Sequence, residues 1–261
     1  MTGINIKINK IIEYWNSELL CSLESSTSHA DVDLAYLDNI IENRELQKIL
    51  SQYRDGKQGK CLDVGAGYGR FTKTFLNNFD EIILLEAAPI IFTHLQSLWG
   101  GDNNIKCISE TFETFEDQNQ YALIMASGLL YLYEDTLVRQ FLEKSRAMLK
   151  AQGLLILRDF IAEPQRVVKS SYVRDGFCHY REPKFWNEFA KASGFELLQI
   201  DRSKPRLTLL RNSRTLTVLS SLHIKSVLKN PLIVNMSIKF GDWKVKQDED
   251  VKTVFIVMRA R

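Results

Sequence analysis

The sequence predicts an α/β fold in which a sheet of seven strands, built from parallel strand–helix units, is covered by helices on both faces. The first observation is that short apolar runs alternate with amphipathic helical stretches between residues 60 and 201, a pattern typical of repeated strand–helix units. The second is size and composition, because 261 residues, of which 45% are apolar and 25% charged, suffice for one large globular domain with an insertion.

Two helices are predicted before the sheet, and together they form an N-terminal helical cap over residues 1–58. Apolar residues recur at helical spacing in the segment KINKIIEYWNSELLCSL, which a serine-rich stretch interrupts. A second helix, DLAYLDNIIENRELQKILSQY, begins where Asp31 or Asp33 can cap it.

Seven strands are predicted, each a short apolar run that ends at a turn or at the start of a helix. They cover residues 60–64, 81–85, 105–108, 121–126, 153–159, 195–201 and 253–259, with helices at 70–79, 89–99, 134–150 and 183–193. The main domain therefore comprises residues 59–202 and 253–261. Between these two parts, we expect residues 203–252 to form a β-rich insertion.

Charge is distributed unevenly along the chain. Residues 202–261 carry 13 Lys and Arg against 4 Asp and Glu, whereas residues 1–201 carry 21 against 28. We interpret the basic part as a solvated β face and not as a nucleic-acid site, because no aromatic residues are interleaved with its basic residues.

No apolar run approaches the ~18 residues of a membrane helix, and no signal peptide is predicted. We therefore expect a cytoplasmic protein with no membrane partner, and the scattered cysteines and histidines predict no metal site.

The most informative segment is CLDVGAGYGRFTKTF, in which a strand ends near Asp63 and a helix follows three closely spaced glycines. Gly65 and Gly67 allow a ligand to approach the main chain at the start of a helix. A dinucleotide-binding turn has its third glycine where this chain has Arg70, and the carboxylate of Asp63 would repel a pyrophosphate. The ammonium and carboxylate of S-adenosylmethionine suit Asp63 and Arg70 better.

A second acidic residue supports the same ligand. Glu86 closes the second predicted strand, 23 residues after Asp63, where a carboxylate can accept hydrogen bonds from both hydroxyls of a ribose. The combination of this residue with the glycine turn favours an S-adenosylmethionine site over the NAD site of an oxidoreductase.

In these motifs, DVGAGYGR followed by LLE, the chain resembles the class I, Rossmann-like S-adenosylmethionine-dependent methyltransferases. The resemblance covers about residues 58–202 and the last strand. It implies that the methionine part of the cofactor, its ribose and its adenine each meet a distinct group of residues. These groups are Asp63, Gly65, Gly67 and Arg70 for the methionine part, Glu86 for the ribose, and Ala87, Glu110, Thr111 and Phe112 for the adenine, while Ser127 and Gly128 face the cofactor from the catalytic side.

The chain is also similar to the protein α-N-terminal methyltransferases, through the segments DVGAGYGRFTK, LILRDFIAE and REPKFWNEFAKASG. The active-site histidine of that family falls on Leu132. We therefore expect an enzyme that N-methylates a peptide or a small amine. The alternatives are an O-methyltransferase acting on a small-molecule hydroxyl and a non-catalytic module that only binds S-adenosylmethionine.

Candidate acid–base residues follow the fourth and fifth strands, where parallel sheets carry their active sites. Asp159 ends the fifth strand, and the segment SSYVRDGFCHYREP after it is predicted to be a loop that can cover the pocket. That loop contains Asp175, close to where the α-N-terminal family carries a catalytic aspartate, and His179, which can act as a base near neutral pH. Tyr131 and Tyr133 are expected to present aromatic faces to an acceptor ammonium.

Overall fold

The computed structural model describes residues 3–17, 32–54, 56, 58–118, 120–170, 176–202 and 251–261. Two helices precede the sheet, α1 (Gly3–Ser17) and α2 (Val32–Tyr53), within the segment that the sequence predicts to be helical. The predicted insertion at 203–252 lies outside the described residues, apart from Val251 and from Lys252, where the last strand starts.

The central sheet has seven strands, as predicted, and their order confirms the fold class. The strands are β1 (Lys60–Val64), β2 (Glu81–Leu85), β3 (Ile105–Ile108), β4 (Tyr121–Ser127), β5 (Leu149–Ile161), β8 (Phe195–Arg202) and β9 (Lys252–Ala260), in the spatial order β3-β2-β1-β4-β5-β9-β8. The first five strands are parallel, whereas β9 pairs antiparallel with both β5 and β8. The strand order reverses between β1 and β4, and open parallel sheets bind their ligands beside such a reversal.

Both faces of the sheet are buried under helices. The remaining helices are α3 (Thr72–Leu76), α4 (Pro89–Trp99), α5 (Asp135–Met148) and α6 (Pro183–Ala192), with a short 3₁₀ helix at Leu130–Leu132. Along β2, Ile82 and Leu84 belong to the core under α2 and α3, while Ile83 and Leu85 belong to the core under α5 and α6. This alternation explains why the strand is apolar at consecutive positions. Within the described ranges, none of the helices has both the length and the apolar character needed to cross a bilayer.

The predicted loop after the fifth strand is wrong in one respect, because residues 177–180 within it form a strand. Strand β6 (Arg166–Lys169) pairs antiparallel with β7 (Phe177–Tyr180) in a separate two-stranded sheet. At the start of β7, Phe177 is exposed and Cys178 is buried, as expected of neighbouring residues in a strand with one buried face. Four-residue strands carry so little of this alternation that the polar residues around them dominated the sequence pattern.

Candidate active site

A cavity opens at the carboxyl ends of the parallel strands, where the strand order reverses between β1 and β4. The residues predicted to bind the cofactor and the two tyrosines predicted to bind the acceptor all contribute to its wall. They are Asp63, Gly65, Gly67, Arg70, Glu86, Ala87, Glu110, Thr111, Phe112, Ser127, Tyr131 and Tyr133. The topology thus brings together residues that are spread along the sequence from position 63 to position 133.

The glycines of the turn after β1 have two different functions in the structure. Gly67 has a φ of +59°, and a Cβ added there would meet no protein atom within 4 Å, so this part of the turn faces the open cavity. Gly69 has a φ of +77°, but its Cβ would lie 2.4 Å from Nε1 of Trp99. The structure therefore fits a ligand lying against Gly67, whereas Gly69 is needed for packing.

This difference predicts opposite outcomes for two alanine variants. We expect Gly69→Ala to lower the free energy of unfolding by about 3 kcal/mol, from the strain of a positive φ together with overpacking. Gly67→Ala should lower the free energy of unfolding by only about 1–2 kcal/mol, the cost of a positive φ at alanine. Its methyl group, however, would project into the part of the cavity where the ligand is expected to bind. Urea unfolding and calorimetric titration with S-adenosylhomocysteine check both variants. Normal ligand affinity in Gly67→Ala would contradict the assignment of this turn to the ligand.

Glu86 ties the glycine turn to the end of β2. Its Oε2 accepts a hydrogen bond from the backbone N–H of Gly67 at 3.0 Å, and its Oε1 accepts one from Ala88 at 2.8 Å. Burial raises the pKa of the Glu86 carboxyl, and these backbone N–H groups partly oppose that shift. The carboxylate therefore positions the turn, a role that the sequence did not indicate, in addition to lying where the ribose is expected.

Asp63 is almost completely buried at the end of β1, with 2% of its surface exposed. Removal from water, and secondarily repulsion from the Glu86 carboxylate, raises the pKa of Asp63 to about 8. At neutral pH this carboxyl is consequently mostly protonated. A cation in the cavity would stabilise its ionised form, which is the chemistry expected for the ammonium of the cofactor.

Arg70 does not act alone, because it shares a buried carboxylate with a second arginine that the sequence analysis missed. Glu42, on α2, forms an ion pair with Arg70 and accepts hydrogen bonds from Nε and Nη2 of Arg158 at 3.1 and 2.8 Å. Arg158 lies on β5 and also lines the cavity. A charged residue inside the apolar run LLILRDF was the signal that could have identified it.

Helix α1 covers the cavity. One side of the helix lines the cavity with four apolar residues, Ile8, Ile11, Ile12 and Trp15. Trp15 and Ile12 also pack against Tyr68 and Ile91, and the side chain of Asn16 accepts a hydrogen bond from the backbone N–H of Ile90 at 2.9 Å. The N-terminal segment thereby contributes an apolar wall that excludes water from the site.

Aromatic side chains at the carboxyl-terminal ends of β4 and β5 and a carboxylate from the segment after β3 form another part of the wall. The ring of Phe160 packs edge-on against Tyr131, with centroids 4.9 Å apart, and Tyr180 lies parallel to Tyr131 at 6.3 Å. The hydroxyl of Tyr133 donates to Oε1 of Glu113 at 2.8 Å, while Oε2 of Glu113 is buried and meets no donor among the described residues. Both Phe160 and Glu113 line the cavity, and the sequence analysis identified neither.

The segment that carries these tyrosines is held from behind by Arg181. This buried guanidinium donates to the backbone oxygens of Leu130 at 3.0 Å and of Tyr133 at 2.5 Å, and its Nε donates to Asp135 at 3.0 Å. From the other side, the carboxylate of Asp159 accepts hydrogen bonds from the backbone N–H groups of Phe160 and Tyr131. The tyrosine positions are thus fixed by the fold before any ligand binds.

We expect Arg181→Met to destabilise the protein by about 3 kcal/mol, because two buried carbonyls lose a charged donor. Affinity for S-adenosylhomocysteine should change little, since Arg181 does not line the cavity. Lys184→Met serves as a matched control, because this exposed lysine on α6 pairs only loosely with Glu188 at 3.8 Å. A loss of unfolding free energy no larger than in the control would contradict the role given to Arg181.

The predicted acid–base residues lie behind the wall or outside the described residues. Asp159 is 1% exposed and does not line the cavity, and burial raises its pKa to about 7. His179 lies half-buried on β7 and does not line the cavity either. Asp175 falls outside the described residues. Within the described ranges, the carboxylates that do line the cavity are Asp63, Glu86, Glu110 and Glu113.

Sequence comparison relates the chain to methyltransferases. A methyltransferase domain model matches residues 37–200. The chain is 26% identical over 170 residues to phosphoethanolamine N-methyltransferase 1 of Arabidopsis thaliana, which covers 61% of this chain and 33% of that protein. It is 26% identical over 157 residues to phosphoethanolamine N-methyltransferase of Triticum aestivum, covering 58% and 29%. The chain thus spans about a third of the length of these curated relatives.

Solved structures of methyltransferases share the fold. An S-adenosylmethionine-dependent methyltransferase from Leishmania major superimposes with a TM-score of 0.64 over 96% of this chain and 82% of that chain, at 15% identity. The 1,6-didemethyltoxoflavin-N1-methyltransferase of Burkholderia thailandensis, solved with S-adenosylhomocysteine and 1,6-didemethyltoxoflavin, superimposes with a TM-score of 0.63 over 100% of this chain and 91% of that chain, at 12% identity.

Proposed function

Because the chain belongs to the S-adenosylmethionine-dependent methyltransferases of class I, through the methyltransferase domain at residues 37–200, we propose that it transfers a methyl group to the nitrogen of a small amine. The observation that carries this proposal is the wall formed by Tyr131, Tyr133, Phe160 and Glu113 beside the glycine turn. Aromatic faces and a carboxylate oxygen attract an amine and repel an anion.

The residues around the glycine turn have the chemistry to hold the cofactor. Asp63 would bind its ammonium, Arg70 its carboxylate and Glu86 its ribose, while Ala87 would lie beside the adenine. The segment Glu110-Thr111-Phe112 would close over the adenine, and Ser127 would face the cofactor from the catalytic side. When bound, S-adenosylmethionine would supply a methyl group on a positively charged sulfonium, which can pass to a neutral amine as the carbon–sulfur bond breaks and S-adenosylhomocysteine leaves.

The acceptor amine must be oriented and must lose a proton before it can act as a nucleophile. Tyr131 and Phe160 would orient it through their ring faces. Asp159 and His179 do not line the cavity, so we assign the proton to the free oxygen of Glu113, whose other oxygen is fixed by the Tyr133 hydroxyl. Asp175 stays a prediction as a second proton acceptor.

The names of the sequence relatives support a small amine as the acceptor. Phosphoethanolamine N-methyltransferases of two plants match this chain over about 60% of its length. The Burkholderia neighbour, whose likeness concerns the fold, is named for methylation of a nitrogen as well. A nitrogen acceptor is therefore preferred to a hydroxyl, and a small molecule to a peptide.

Methyl transfer can be tested directly with S-adenosylmethionine that carries a deuterated methyl group. We would incubate the protein with ethanolamine, phosphoethanolamine, a short peptide with a free N-terminus and a phenol, and locate the label by mass spectrometry. The proposal predicts labelled nitrogen in one of the small amines, and less of it in Glu113→Gln than in the wild type. Label found only on a hydroxyl or on the peptide would contradict it.

A further inference from the structure

Two arginines reach the cavity from different parts of the chain and share one carboxylate behind them. Arg70 follows the glycine turn and Arg158 lies on β5, and both line the cavity. Glu42 has no exposed surface and is not part of the wall, so it lies behind the two guanidinium groups and does not occupy ligand space. Its Oε1 accepts from Nε and Nη2 of Arg158, and its Oε2 pairs with Arg70.

The charges of this group are closely balanced. Burial lowers the pKa of both arginines, and the proximity of Arg158 lowers that of Arg70 further. Asp38, one turn before Glu42 on α2, acts in the opposite direction on both guanidinium groups. Two buried cations this close to each other remain side by side only because an anion holds them.

The arginine pair still has unused hydrogen-bonding capacity. Nε of Arg70 is buried and meets no acceptor among the described residues. The guanidinium of an arginine can donate two parallel hydrogen bonds to a carboxylate. A carboxylate bound on the cavity side would therefore accept hydrogen bonds from the two guanidinium groups, which Glu42 contacts from the opposite side.

We propose that Glu42 is a positioning residue for the cofactor, which holds Arg70 and Arg158 together so that they bind the carboxylate of its methionine part. This inference rests on S-adenosylmethionine being the cofactor and is independent of the acceptor. It makes α2, which ends 12 positions before Gly65 of the glycine turn, part of the cofactor site.

The test compares two ligands that differ only in this carboxylate. Calorimetry with S-adenosylhomocysteine and with its decarboxylated analogue, which keeps the ammonium, measures how strongly the protein prefers the carboxylate. We expect a preference of about tenfold or more in the wild type, as for a hydrogen bond between charged groups. Glu42→Gln should reduce it to about twofold, because the amide turns an N–H towards one of the guanidinium groups. Its affinity for the decarboxylated analogue should stay unchanged.

Glu45→Gln is the matched control, since Glu45 lies on the same helix but pairs with Lys48 at 2.6 Å on the surface. It should keep the wild-type preference. Glu42→Asp preserves the buried charge and is therefore the variant to use where Glu42→Gln does not fold; we expect it to lose part of the preference.

Three results would overturn the inference. The first is that both Glu42 variants prefer S-adenosylhomocysteine to its decarboxylated analogue as strongly as the wild type does. The second is that the variants lose affinity for the two ligands equally, and the third is that they bind S-adenosylhomocysteine more tightly than the wild type. Equal losses would mean that Glu42 only supports the fold, and tighter binding would mean that it competes with the ligand. Failure of the wild type to bind either ligand would instead refute the cofactor assignment itself.

Discussion

Asp63→Asn is expected to weaken the binding of S-adenosylhomocysteine by about tenfold or more and to abolish the release of a proton that accompanies binding in the wild type. The carboxyl of Asp63 is buried, and its pKa is raised to about 8. An ammonium bound beside it favours the ionised form, so binding at pH 7 must expel a proton from most molecules. Calorimetric titration in buffers of different ionisation enthalpy measures that proton.

The direction of the pH dependence follows from the same pKa. Below pH 8, affinity should rise by up to about tenfold per pH unit, because fewer molecules need to lose a proton before the ammonium binds. Above pH 8 the affinity should no longer change with pH on account of Asp63, because its carboxyl is then already ionised. Binding by the wild type with no proton release at pH 7 would contradict this assignment.

The ligand-free protein should show the opposite trend in stability. A carboxyl whose pKa is higher in the folded than in the unfolded state destabilises the fold as pH rises between the two values. For Asp63 this window extends from about pH 4 to pH 8, and the cost at its upper end is on the order of 5 kcal/mol. Asp63→Asn should therefore be the more stable protein at pH 8, although it binds the ligand less well. Urea unfolding at pH 5 and pH 8 provides the comparison.

Glu86→Ala is expected to reduce affinity for S-adenosylhomocysteine by about 10²–10⁴-fold, because each hydrogen bond between a carboxylate and a ribose hydroxyl contributes about 1.5–3 kcal/mol. The variant also releases the backbone N–H groups of Gly67 and Ala88, which the carboxylate now holds. Glu86→Gln should be nearly as damaging, since an amide can accept from only one of them.

The matched control is Glu81→Gln, at the other end of the same strand. Glu81 pairs with Lys60 at 2.8 Å on the surface and lies outside the cavity. Affinity within twofold of wild type is expected for this control. If Glu86→Ala bound the ligand as tightly as Glu81→Gln does, the ribose would have to bind elsewhere.

The parts of this fold that local patterns determine were predictable from the sequence. The limits of β1, β2 and β3 agree with the prediction to the residue, because a buried parallel strand is a continuous apolar run between turn residues. The glycine turn could be located for a similar reason. Its conformation depends on a few neighbouring residues with unusual backbone freedom.

Contacts between distant residues were not predictable in this way. Glu42 and Arg158 are 116 residues apart, and no local pattern shows that the topology brings them together behind the cavity. Arg181 likewise looks like one charged residue among several, although it fixes the backbone on which Tyr131 and Tyr133 lie. A long-range pair becomes visible only when the order of the strands is known.

The cofactor assignment is tested most directly by calorimetric titration of the wild-type protein with S-adenosylhomocysteine and, separately, with NADH. We expect saturable binding of the adenosyl ligand at one site per chain and no measurable binding of NADH, because Asp63 and Arg70 suit an amino acid and not a pyrophosphate. Binding of NADH, or no binding of S-adenosylhomocysteine, would contradict the interpretation of the glycine turn and the functional proposals that depend on it.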